Sequence, residues 1–236
     1  MERAIKWLRR AVYLTIAAAI SVGGYQVIYH PDTPLPDHWN PIKPLRITAP
    51  TTPLTSWKFG KTGDNAQLCM QALDGFALVK VLDDKLVSDQ CHIKSRVLVS
   101  NIMGISIRPT ETRCDTVLAM AMWLHHGVKP AAKTHLGQGI TGMRTQGSYN
   151  CRKIAGTNRM STHATAQAID IAGFTLADGT QVELKQSWSD PPEQAAFWRD
   201  IRDASCTWFH TTLGPDYNHA HHDHFHLQTK GWGMCR

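Results

Sequence analysis

Between Ala11 and Tyr29 the chain runs for nineteen residues without a charge. A helix of that length spans roughly 28 Å, about the hydrocarbon thickness of a bilayer. Arg3, Lys6, Arg9 and Arg10 precede it, and a basic flank favours an inside N-terminus with the rest of the chain outside. The segment is apolar on all faces and a linker follows it, which disfavours a buried helix of a soluble domain. It reads as a single-pass anchor at residues 11–29 behind a basic segment at 1–10. The rival is a cleaved signal peptide, which would leave the body secreted. Ala17-Ala18-Ala19 offers a small-residue cleavage site, but only a very short apolar core precedes it.

Seven of the twelve prolines fall between Pro31 and Pro53. Proline removes backbone donors and favours extended chain, so residues 30–56 read as a semi-rigid stalk and residues 57–236 as the body. All six cysteines lie beyond the stalk: Cys69, Cys91, Cys114, Cys151, Cys206 and Cys235. None forms a CxxC pair, which argues against a structural zinc site, and three disulfides in an oxidising compartment are the natural reading. Fifteen pairings are open. The net charge is 25 − 19 = +6. That excess suits an anionic partner and is too small to point to nucleic acid.

Within the body, Asp115 predicts a helix through Met122–Leu124, with Val117, Leu118, Ala121 and Leu124 at helical spacing. Ala168–Thr175 reads as a strand, Asp178-Gly179 as a hairpin turn and Gln181–Leu184 as its second strand. Pro191-Pro192 starts a helix through Phe209, and His222–Leu227 alternates like a strand. Helices and hairpins mix without a βαβ rhythm, so the fold class is α+β.

Six of the thirteen histidines lie between His210 and His226. In the predicted last strand, His224 and His226 share one face while Asp223 and Phe225 share the other. Upstream, Asp170 sits between Ile169 and Ile171, where a carboxylate is costly unless a metal, a cation or hydrogen bonds compensate it. Two imidazoles and a carboxylate make a zinc set that leaves a fourth position open. Ser161 reads as a capping residue, since no serine elbow surrounds it.

Ser161, His163, Ala168 and Asp170, followed by His224-Phe225-His226, resemble the Ser-x-His-x-x-Gly-x-Ala-x-Asp and His-x-His motifs of the LAS metallopeptidases. Ala166 stands where that group carries Gly, and its methyl would either narrow the site or shift the backbone. GSYNCR at 147–152, STHATAQAIDIAGF at 161–174, the Asp178-Gly179 turn, Cys206, LGPD at 213–216 and HDHFHL at 222–227 together resemble the bacterial extensin-like C-terminal domain family over roughly residues 69–236. The resemblance implies a small antiparallel sheet flanked by helices, LAS/hedgehog-like, carrying one zinc ion. It implies His163, Asp170 and His226 as ligands, and His224 or Asp223 as the base, with strand alternation favouring His224. It also implies Arg152 as a substrate-binding or carbonyl-polarising residue, Tyr149 along the site and His221 beside the ligands. The function so implied is a zinc hydrolase of peptidoglycan peptide bonds. It would be anchored in the bacterial inner membrane with its body in the periplasm, where envelope proteins are further partners. The alternative is a non-catalytic wall- or partner-binding module that keeps the fold and the metal.

Overall fold

The computed structural model describes residues 2–236. The chain divides into two compact units, one ending at Gly60 and one starting at Lys61. In the first, helix α1 (Glu2–Tyr29) is the one helix among the described residues long and apolar enough to cross a membrane or to serve as a signal sequence. It buries no residue within the protein. Residues 30–52 follow through turns and a 3-10 turn at Asp37–Trp39. Side chains hold this course. The buried Asn40 donates to the Ile28 carbonyl (2.9 Å) and accepts from the Ile42 amide (3.0 Å). Lys58 donates to the Asp37 carbonyl (2.7 Å), and burial pushes its ammonium below the usual lysine range against the opposing pull of Asp37. Helix α2 (Pro53–Gly63) leads out of this unit.

The second unit begins with α3 (Ala66–Leu73), capped by the Asn65 side chain on the Leu68 amide. Strands β1 (Ala77–Val81), β2 (Lys85–Ser88), β3 (Cys91–Ile93), β4 (Arg96–Ile102) and β5 (Ile105–Arg113) follow. Helix α4 (Cys114–Trp123) continues through π-type turns around the short α5 (Lys129–Ala131), where Pro130 removes a backbone donor. Then come β6 (Ile140–Gly147), β7 (Ala168–Leu176), β8 (Gln181–Glu183), α6 (Leu184–Ser187), α7 (Pro192–Trp208), β9 (Thr211–Leu213) and β10 (Phe225–Gln228).

The class is α+β, as expected, but the sheet is not small. Eight strands join in the order β1-β4-β5-β6-β7-β10-β9, with β8 on β7, and β2-β3 form a separate hairpin. Nor is it wholly antiparallel: β5 and β6 pair in parallel across the α4–α5 crossover. Among residues 77–113, β1 leaves Leu78 and Val81 exposed, and β5 alternates on both sides of Pro109, which interrupts it. Pro109 fits because the β4–β5 register shifts between Val99 and Asn101, so it lies in a bulge where no ladder donor is needed.

Helix α4 is buried from Thr116 to Trp123 rather than along one stripe. It packs between the sheet and α7, and Trp123 donates its indole N–H to the Ile201 carbonyl (2.7 Å). Trp123, Phe174, Phe197, Trp198 and Phe225 interlock with ring centroids 5.4–6.0 Å apart. Asp115 does not cap this helix. It sits in the first turn, where its carboxylate accepts from Thr116 N–H and Arg113. The three disulfides are Cys69–Cys114, Cys91–Cys151 and Cys206–Cys235.

Candidate metal centre

Strand β7 is almost continuously buried, with Ile169 and Ile171 fully enclosed and Asp170 between them facing the opposite side. Antiparallel β10 sets His226 directly across from Asp170. A cross-strand pair of this kind shares one sheet face. His163 comes from the 3-10 turn Thr162–Thr165, just ahead of β7. Ser161 caps that turn, accepting from the His163 amide. Strand, facing strand and turn thus bring together three residues separated by up to 63 positions, and their donor atoms all lie within 4.8 Å of one another.

The contacts are close. His226 Nδ1 lies 2.8 Å from Asp170 Oδ1 and 3.0 Å from His163 Nε2, and His163 Nε2 lies 3.2 Å from Asp170 Oδ2. His163 Nδ1 is 2.7 Å from the Ser148 carbonyl. A carbonyl only accepts, so Nδ1 carries a proton and Nε2 faces inward, where it donates to Asp170 when protonated and is open to a cation when not. Three lone-pair atoms converging on one point repel unless a proton or a cation sits among them. Burial pushes the Asp170 carboxyl up, but hydrogen bonds and charge from His163 and His226 outweigh it and hold the group well below the usual range. The donor set therefore fits a divalent ion. Two imidazoles and one carboxylate suit zinc, whose ligands at roughly 2.0–2.2 Å would need only a slight opening of these contacts.

One side of this cradle opens into a cleft of about 80 Å³ lined by Gln146, Tyr149, Asn150, Arg152, His163 and Asp170. Arg152 is exposed at its lip, whereas the Tyr149 hydroxyl is buried without a hydrogen-bond partner. His224 Nε2 lies 3.8 Å from Asp170 Oδ1, and its Nδ1 lies 2.8 Å from Asp223 Oδ1. The His224 hydrogen bond, with help from Gln146, holds the Asp223 carboxyl below its usual range despite some burial. His221 packs its ring 5.3 Å from that of His224 and 5.8 Å from that of His226. Burial, then the charges of His226 and His224, push the His221 imidazole down to about 4, so it is neutral near pH 7.

The predicted last strand is shorter than its alternation implied. It begins at Phe225; His222 and Asp223 form a turn after the 3-10 turn His219–His221, and His224 links that turn to the strand. Contacts of His221 Nδ1 with Asn218 Oδ1 (2.7 Å) and His222 Nδ1 with the His219 carbonyl (2.8 Å) close that turn at the expense of the ladder. His224 reaches the centre from that link, so Asp223 and His224 act as a bonded pair rather than as rivals on opposite faces. Sequence reasoning missed Gln146, which supports Asp223, and the Ser148 carbonyl that orients His163. It also missed Thr112 and Thr116, whose hydroxyls hold the Ala166 carbonyl. Backbone acceptors and neutral hydroxyls carry no sequence signature of that role.

A family model described as Extensin-like protein C-terminus matches residues 67–236. Neither a curated protein nor a solved structure matches the chain.

Proposed function

The chain belongs to the extensin-like C-terminal family, and from that premise we propose that it is a membrane-anchored, zinc-dependent hydrolase of peptide bonds in cell-wall peptidoglycan, of the LAS type. The observation that carries this reading is the three-donor cradle of His163, Asp170 and His226, open on one side to a cleft, with His224 Nε2 3.8 Å from the Asp170 carboxylate. Zinc, when bound, supplies a Lewis acid and an acidified water. The protein's own groups do the rest. Asp223 accepts from His224 Nδ1–H and so presents Nε2 to the centre, ready to take a proton from the attacking water and return it to the leaving amine. Arg152 at the cleft lip is placed to bind the carbonyl oxygen as charge develops on it. The apolar α1, the three disulfides and the net charge of +6 support an inner-membrane anchor and a periplasmic body facing an anionic polymer.

Incubation with purified sacculi tests the proposal. Soluble peptide fragments should be released, release should stop with a chelator and resume with zinc, and His224→Ala should slow it at least a hundredfold. Retention on sacculi without release would instead support a non-catalytic wall-binding module.

A further inference from the structure

The hairpin β2–β3 hydrogen-bonds to no other strand among the described residues. Its outer strand exposes Leu86 and Val87, while Cys91 and Ile93 of β3 are buried. Strand β3 lies against the 3-10 turn that carries His163. Two side-chain ties join this hairpin to the segment Ser148–Arg152. Lys85 places its ammonium 4.6 Å from the centroid of the Tyr149 ring, and Cys91 is bonded to Cys151.

That segment holds His163 from two sides. The Ser148 carbonyl accepts from the His163 ring, and the Asn150 amide donates to the His163 carbonyl (3.0 Å). Arg152 closes the frame, its amide donating to the Asn150 carbonyl (2.9 Å) and its carbonyl accepting from Ser161, the cap of the His163 turn (3.0 Å). Cys151 is thus the covalent post of a loop that supports one ligand of the cradle and lines the cleft. Cys206–Cys235, by contrast, joins α7 to the C-terminal tail, which pairs with β9 rather than with the His163 turn.

We propose that the Cys91–Cys151 disulfide is a positioning element for the metal cradle, so that metal affinity depends on its redox state. The inference rests on the zinc reading above. Reduction by a thiol such as glutathione is balanced: the disulfide and two glutathione thiols give two protein thiols and one glutathione disulfide. The Cys91 and Cys151 sulfurs each take up one electron and one proton. Cys151 is the exposed half of the bond, where a thiolate can approach.

Zinc affinity, measured by competition with a chromophoric chelator on the full-length protein in detergent, tests this. The double variant Cys91→Ala/Cys151→Ala should bind zinc at least tenfold more weakly than the parent. Cys206→Ala/Cys235→Ala should stay within about twofold. Should the first variant not fold, the intact protein supplies the same test through linkage. In a glutathione redox buffer, saturating zinc should make Cys91–Cys151 at least tenfold harder to reduce, a shift of about 30 mV, with Cys206–Cys235 unmoved. Equal zinc affinity in both double variants, or no zinc-dependent shift in the redox midpoint, overturns the positioning role alone. A parent that takes up no zinc overturns the zinc reading and this inference with it.

Discussion

At the scale of single residues, Ala166 is the departure from the motif that most invited a functional explanation, and its role is conformational. It adopts φ 52° and ψ 28° at the end of the His163 turn, its methyl is fully buried, and it does not line the cleft. A left-handed alanine costs about 1–2 kcal/mol, which explains why glycine suits this position in the motif. Glycine here would relieve that cost, yet lose a buried methyl worth about 0.8 kcal/mol and add unfolded-state entropy worth about 0.4–1 kcal/mol. Ala166→Gly should therefore unfold in urea within about 1 kcal/mol of the parent and bind zinc equally well. Ala166→Val, β-branched in a left-handed and enclosed site, should lose more than about 2 kcal/mol. Asp170→Asn keeps the size of the side chain but removes its charge. Zinc retained after dialysis should fall from near one ion per chain to a trace, as metal analysis would show.

At the scale of elements, the segments legible in advance were those with strong local signals. Strand β7 carried an apolar run, β8 followed an Asp-Gly turn, and α7 began at a proline. The strands between residues 77 and 113 went unread, because β1 exposes Leu78 and Val81 and Pro109 interrupts the alternation of β5. The contact of the helical stretch after α4 with α7 was equally hidden. A Cβ on Gly127 would stand 2.6 Å from the Ala204 Cβ, nearer than two carbons can approach. Gly127→Ala should force the two helical segments apart and lower stability by about 1–3 kcal/mol, read as a fall in thermal midpoint.

At the scale of the whole molecule, covalent ties and the long apolar helix α1 dominate. The disulfides close loops of 45, 60 and 29 residues. In the chain-entropy model each contributes about 3.5–4.5 kcal/mol. Together they amount to on the order of 10 kcal/mol, as much as the entire stability of a typical domain. A fully reduced chain should lose its cooperative thermal transition, which near-UV circular dichroism would follow. If α1 anchors the protein, the mature chain should keep residues 11–29 and sediment with membranes. N-terminal sequencing that starts near residue 20, with the protein in the soluble fraction, would establish cleavage instead.

The three metal-ligand candidates came from the motif resemblance; local chemistry in the sequence alone determined the apolar span, the even set of cysteines and the carboxylate between isoleucines. These last follow from transfer energies and from the side-chain period of a strand, which neighbours in sequence already express. Only the tertiary structure decided which cysteines meet and how β10 registers on β7 to set His226 opposite Asp170. It also decided that the link between a turn and β10, not the strand itself, delivers His224 to the centre. Those outcomes depend on contacts between residues dozens of positions apart. Their energies come from burying shared surfaces and pairing backbone groups, and no local window of sequence contains both partners.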